Sequence, residues 1–478
     1  MSIRNVYVEI EYTGKGTQVI RFSIYPDKNS VGALVGKIEY QVNVRWWTQK
    51  ETTTAQFGQI SIANNDGEFD WLIDTDASKV VIKEVYDSNL PGATVLATAY
   101  IQRFKHDGDK ISIILKDKSE ELDRAVQDQL YPASETSTVY PYPTIDYYGK
   151  TGTRKPYSMG LVYSVPPVLI HRPTNEYQWH HEDCYLIDEV YDNGKAVIYA
   201  DTGDGKFVLS ADPLENGVVT MDGRGGNLSG GTWPNSPDEI LPELFSDLGW
   251  TDYDSSNVAS LRRKPQYGGG IFRVKLGFHI SPDDNITAKE LLNWICDSFS
   301  GWHYIDKTGT LIFGYLEKPS SSPPHKLNEY NVIDTVKVIQ DMAPNITTKA
   351  GGERNWKVLD SSKVAYTVPQ DLQMSLTQRH RKVTEATPTL HEFYTDKKEP
   401  FDGLFPGASQ PGFFINSIID IYSEKRNFYH FKSDTLFDIG DDIEFTYPKA
   451  DLDTGKNLVC VGYKIDFIAN DYELTLWG

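Results

Sequence analysis

Seven residues, QWHHEDC from Gln178 to Cys184, hold two imidazoles, two carboxylates and a thiol. These groups ligate zinc and move protons. Tyr177, Trp179, Tyr185, Leu186 and Ile187 give the stretch a strand pattern, in which alternate side chains share a face. On that reading His180, Glu182 and Cys184 lie on one side, successive pairs about 6.8 Å apart. His181 and Asp183 lie on the other. Two ligands at i, i+2 can chelate a metal, but a site needs a third and usually a fourth. His106, His171, His279 and His303 occur singly, and the chain has no HxxxH or HExxH. The expectation is therefore no metal, no cofactor and no catalytic residue. His180, Glu182 and Cys184 are the candidate ligands, and a polar, partly exposed strand is the plain reading. No GxSxG elbow is present, and pairing carboxylates as a glycosidase dyad would be arbitrary in so acidic a chain.

The elements that would position these residues are mostly β. VYVEIEY, QVIRFSIY, GQISIANN, KVVIKEVY and KISIILK alternate or run apolar over strand length, with turns at Asn65–Gly67 and Asp107–Asp109. DKSEELDRAVQ reads as a short helix capped by Ser119, with Leu122 and Val126 at i, i+4. A Pro/Tyr-rich linker follows. Its Gly149, Lys150 and Thr151 resemble the end of a phosphate loop, but Thr144 stands where the first glycine belongs. Further strands come next, with hairpin turns at Asn193-Gly194 and Asp204-Gly205. DGRGGNLSGGTW reads as a flexible exit linker. NITAKELLNWICDSFSG is the clearest helix. Thr287 and Glu290 form a capping box, Ala288, Leu291, Leu292, Ile295 and Phe299 form one stripe, and Gly301 is placed to end it. A hairpin, WHYI–DKTG–TLIFGYL, packs on it, and DEILPELFSDLG makes a second helix. KPSSSPPHK (318–326) is a linker, and the remainder returns to strands, with a short helix over 417–427.

The fold expected is mainly β with some α: a β domain at each end, an inserted β domain and a small α/β module. The boundaries are 1–125 for the first β domain, 126–230 for the inserted domain with its leading linker, 231–320 for the α/β module and 321–478 for the last β domain.

The 478 residues carry a formal net charge of -20. The basic runs RHRK (379–382) and LRRK (261–264) are short and lack interleaved aromatics, so sequence-specific nucleic-acid binding is not expected. No apolar run is long enough to span a bilayer, and the chain opens directly on a strand pattern without a secretion leader. Cys184, Cys296 and Cys460 are far apart and odd in number, which suits buried thiols in a reducing compartment.

In KPYSMGLVYSVPPVLIHRPTNEYQWHHEDCYLIDEVYDNGKAV, residues Lys155, Pro156, Gly160, Pro167, Val168, Tyr177, Gln178, His180, Asp192, Asn193 and Gly194 match a pattern of bacteriophage tail proteins. QISIANNDGEFD, the helix and hairpin after Ile286, ERNWKV with Asn355 and Trp356, LFDIGDDIEFTYP and the final LTLWG follow in the family's order. The chain thus resembles the tail-hub family over nearly its whole length. His181, Glu182 and Asp183 interrupt the family's short H-D-G run. The resemblance implies a structural homotrimer at the tail tip, assembled in the host cytoplasm, in which 1–125 and 321–478 are two tail-tube-like β-barrel domains that match a hexameric ring. It implies as partners a distal-tail or tail-tube ring protein, a tape-measure protein and tail or central fibre proteins. It implies a channel for ejected DNA, which an acidic lumen would let slide, and no catalytic residues. A receptor-binding adhesin using Tyr140, Tyr142, Tyr147 and Tyr148, a distal-tail ring and a tail-tip hydrolase are the rivals.

Overall fold

The computed structural model describes residues 3–478 apart from 15, 45–52, 133–151, 215–216, 229–230, 262–263, 267–269, 273, 316, 341–345, 387–396, 422–423 and 425. Residues 133–151 of the Pro/Tyr-rich linker, with Tyr140, Tyr142, Tyr147, Tyr148 and the Gly-Lys-Thr run, and Arg262 and Arg263 of LRRK, lie outside the described residues.

The molecule is mostly β, as the alternating pattern predicts. The first sheet contains Arg4–Gly14, Gly16–Ser23, Gln59–Ala63, Lys79–Tyr86, Thr94–His106 and Lys110–Lys116. Two short strands nearly close it into a barrel. Val31–Gly32 pairs in parallel with Gly16–Ser23, and Leu34–Val35, two residues on, pairs with Gln59–Ala63. Val6, Val8, Ile10, Ile60, Ile62, Val80, Ile82, Ile111 and Ile113 fill its core at period two.

The last sheet runs in the order His325–Leu327, Asp442–Phe445, Lys456–Asp466, Asp471–Trp477, Asn427–Ser433 and Lys337–Gln340. A hairpin from the first segment joins it. Glu39–Asn43 pairs with Lys456–Asp466, Gly462 opposite Asn43, and Thr54–Phe57 pairs with Glu39–Asn43. Tyr40 is fully buried there and donates its hydroxyl to Ile305 O at 2.8 Å. One hydrophobic core consequently runs from Val6 to Trp477 through both sheets.

Between them lies a five-stranded sheet in the order Lys195–Ala196, Leu186–Asp192, Val219–Gly225, Tyr157–Val165 and Gly277–Ile280. A four-stranded sheet, Val168–His171, Glu176–Gln178, Lys206–Leu209 and Tyr199–Gly203, stands beside it. Asn193 and Gly194 both have positive φ, as do Asp204 and Gly205, so both hairpin turns form where the dipeptides predict. The helical module has Pro237–Asp247 and Ala288–Asp297, with the Thr287–Glu290 capping box in place and its apolar stripe buried. A three-stranded sheet, His380–Ala386, Ile346–Arg354 and Lys397–Phe405, follows.

Five local expectations are corrected. Asp117, not Ser119, caps the turn after the first barrel; its side chain accepts from Ser119 N, and the turn Lys118–Asp123 is 3-10. The late helix is Gln410–Ile421, earlier than 417–427, because Phe414, Ile415, Ile418 and Ile421 supply the buried face. The left-handed residue after the long helix is Ser300, not Gly301; Gly301 makes room for the Phe299 ring, which would lie 2.0 Å from a Cβ there. The end of the 318–326 linker enters the last sheet, His325–Leu327 pairing with Asp442–Phe445. DGRGG is no linker either: Val219–Gly225 is the central strand of the five-stranded sheet. Its glycines answer to packing, since a Cβ on Gly225 would sit 2.3 Å from Ser158 O.

Candidate functional site

The strand reading of QWHHEDC is also corrected. The strand Glu176–Gln178 ends at Gln178, and residues 179–185 form a bend. The hairpin turn 203–205 lies against it and holds it. Trp179 N donates to Gly205 O at 3.0 Å, Asp204 N donates to Asp183 Oδ1 at 2.9 Å, and Gln178 Nε2 donates to Asp204 O at 3.3 Å. A Cβ on Gly205 would come within 2.5 Å of His180 O. A straight strand has no room for that turn.

The bend sends the candidate ligands to different environments. His180 is buried, and its Nδ1 accepts from Ser158 N at 3.0 Å. An Nδ1 that accepts requires the neutral ring protonated on Nε2. Burial first, then the neighbouring His181 and His279, hold its pKa well below the ordinary value. Ser158 Oγ donates to Trp179 O at 3.0 Å, so its 2.8 Å contact with His279 Nδ1 is a bond donated by the histidine. Burial takes His279 down to about 3. Glu182 is exposed and accepts from Gln129 Nε2 at 2.9 Å. Cys184 is half-buried, its thiol pushed up to about 12 by burial and then by Asp201 and Asp183. A reactive or metal-binding thiol needs the opposite shift. Among the described residues no group of three His, Cys, Asp or Glu side chains is disposed to hold a metal.

Tyr157, on the strand beside Ser158, extends this cluster. Its ring lies 4.9 Å from His181 and 5.7 Å from His180, and its hydroxyl donates to Asp247 Oδ2 at 2.8 Å. Burial raises the Asp247 carboxyl to about 6, opposed by the Tyr157 bond and helped by Glu182, Glu243 and Asp128.

A second constellation was not legible as one. Asp222, on the glycine-rich central strand, receives Arg381 of RHRK in a bidentate pair, both contacts 3.1 Å. Asp222 Oδ1 also accepts from Ser164 N at 2.7 Å. Arg381 Nε donates to Asn355 Oδ1 at 2.8 Å, and its guanidinium lies 4.6 Å from the Tyr163 ring centre. Asn355 is fully buried and donates Nδ2 to Ser375 O at 2.6 Å and Gln378 O at 2.8 Å. This joint ties the inserted sheet to the last third of the chain. Arg381 is thus spent internally and does not grip phosphate. The available signals were Asn355-Trp356 and the glycines around Asp222, which mark a strand under close packing.

Asp183, His180, Ser158, Asp222 and Asn355 bond backbone groups, and Glu182, Tyr157 and Arg381 bond other side chains. What the arrangement can do chemically is fix elements against one another.

Among the solved structures that match over nearly the whole chain are three tail proteins. The 43 kDa tail protein of prophage MuSo2 from Shewanella oneidensis is 10% identical, with 99% of this chain and 98% of that chain covered, at TM-score 0.44. The tail protein from Neisseria meningitidis MC58 is 10% identical, covering 99% and 96%, at TM-score 0.41. Prophage tail protein gp18 from Listeria monocytogenes EGD-e is 9% identical, covering 99% and 94%, at TM-score 0.40. All three are tail proteins. At this identity and superposition no residue role passes from them to this chain. No family model matches the sequence, and no curated protein matches it.

Proposed function

We propose that this chain is a structural protein of the phage tail tip, a homotrimeric hub that closes the distal end of the tail tube and opens as a channel for DNA. The observation that carries the reading is where the tail-hub motif residues fall. Gly160 passes under Leu276 O, which would lie 2.2 Å from a Cβ; Gln178 and His180 pin the bend; Asn193 and Gly194 turn a hairpin; Asn355 centres the buried joint. These six motif residues are used for architecture, and the reading includes no enzymatic role. The division at 125, 230 and 320 into two barrels, an insert and an α/β module belongs to the same proposal. So do the partners: a ring protein above, a tape-measure protein and tail fibres. Negative-stain images of the purified chain test it. Three-fold particles, centrally closed or open, are expected. Six-fold rings would move the assignment to a distal-tail ring, and particles without three-fold symmetry would contradict the hub.

A further inference from the structure

Alternation along the strands of the last sheet sends Val42, Phe431, Tyr463 and Leu474 to the core and polar residues to the opposite face. A groove of about 460 Å³ lies along that polar face. Two rows of cross-strand neighbours make its floor. The first is Gln41, Lys464, Glu473 and Lys432, each opposite the next. The second is Asn43, Gly462, Thr475, His430 and Lys337.

The rows differ in charge. In the first, acids answer the lysines. Lys432 lies 3.3 Å from Asp471 and 3.9 Å from Glu473, and Lys464 lies 2.8 Å from Glu39. Asp334, also lining the groove, accepts from Lys432 N at 2.8 Å. The second row has no carboxylate. Among the described residues Lys337 forms no ion pair, and the Asn43 amide has no hydrogen-bond partner. Gly462 stands in the middle of this row. A Cβ there would lie 2.5 Å from Asn43 Oδ1 and 3.4 Å from Thr475 Cβ. A glycine inside a strand weakens it and marks a close approach; here it lets the Asn43 amide lie across the floor. His430 Nδ1 is 2.9 Å from Thr475 Oγ1, so Nε2 is the ring nitrogen left for a ligand.

We propose that the second row is a binding site for a carboxylate. Lys337 supplies the charge, and His430 Nε2 and the Asn43 amide supply hydrogen bonds. A row of donors without an acid selects an anion over a cation. Glu473 and Asp334 line the same groove, so a doubly charged phosphate is repelled more than a carboxylate. The charges facing His430 are Lys337, Lys432 and Lys464, with Glu473 and Asp334 opposing them. Burial, then Lys337, hold the His430 pKa below its ordinary value. A carboxylate between Lys337 and His430 counters the lysine and raises that pKa. Affinity therefore rises as pH falls from the pKa of the filled site to that of the empty one. The site is lined by one chain and does not depend on the hub reading.

The test is calorimetric titration of the full chain with glutarate and with a capped glutamate-only peptide, above and below the histidine range. Saturable binding is expected, tighter at the lower pH. Lys337→Gln should weaken it about tenfold, the worth of one charge-assisted bond. His430→Gln should bind like the wild type at the higher pH and lose the gain at the lower. Lys105→Gln, an exposed lysine on the first sheet, should leave binding unchanged. None of the three side chains is buried, so all three variants should keep the wild-type circular dichroism. Binding of both probes assigns the site to carboxylates at large, and binding of the peptide alone assigns it to a carboxylate on a polypeptide; each supports the site. Absence of saturable binding by either probe would overturn it. So would equal losses in Lys337→Gln and Lys105→Gln, or a pH gain that survives His430→Gln.

Discussion

The bend at 179–185 and the joint around Arg381 are built from the same kinds of side chain, yet they hold the fold in different ways. The bend keeps its imidazoles neutral and leaves its two acids, Glu182 and Asp183, exposed at the rim. The joint buries a full ion pair, Arg381 with Asp222, and satisfies it with Asn355, Ser164 N and the Tyr163 ring. A density of reactive residue types in sequence marks the first. A charge pair 159 residues apart in the chain makes the second. The difference teaches that chemical richness along the chain is a poor guide to energetic importance, which depends on what is buried and with whom.

Breaking the joint has the largest expected effect. Asp222→Ala leaves a buried guanidinium without its partner and should cost about 3–5 kcal/mol in urea unfolding. A cycle with Arg381→Met should recover part of that loss, and strict additivity of the two would contradict the pairing. Next comes Gly225→Ala, which drives a Cβ towards Ser158 O and should cost about 1–3 kcal/mol. On the bend, His180→Ala removes the acceptor for Ser158 N and should cost about 1–3 kcal/mol, whereas His180→Asn, which can still accept, should cost less.

Within the cluster at the bend, His180 and Asp247 respond to pH in opposite directions. His180 has a folded pKa below its ordinary value of 6.5. Its contribution is present above 6.5 and is lost as pH falls from there, because the unfolded chain takes up the proton first. Asp247 is raised from 3.8 to about 6. Its contribution is present below 3.8 and is lost as pH rises to about 6. Much of the Asp247 residue meets solvent, which screens the effect, so Asp247→Asn should stabilise by only about 1 kcal/mol at pH 7–8 and not at all near pH 3. A gain of equal size at both pH values would contradict the assignment. The smallest effect is expected at Glu182. Glu182→Gln should stay within about 0.5 kcal/mol, and zinc titration by calorimetry should be indistinguishable from wild type. A stoichiometric zinc signal lost in that variant would restore the metal reading.

Much of the fold was legible because its signals are local. Val6, Val8 and Ile10 alternate, Asn193-Gly194 demands a two-residue turn, and Thr287 with Glu290 announces a helix. The bend was not legible, because the turn at Gly205 that displaces it lies beyond the stretch itself. The strand Val219–Gly225 was hidden for a related reason: glycine reads as a breaker locally, and only the neighbouring backbone at Ser158 explains it. Glu39–Asn43 looks like a member of the first barrel, and nothing local says that its partner is Lys456–Asp466. Of the candidate site, the residue types were visible, but their separation by burial was not.

The central claim is that these residues serve an assembled hub. Native mass of the purified chain over a range of concentrations tests it most directly. The account predicts a species of three times 54.1 kDa. A chain that stays at 54.1 kDa at every concentration would contradict it.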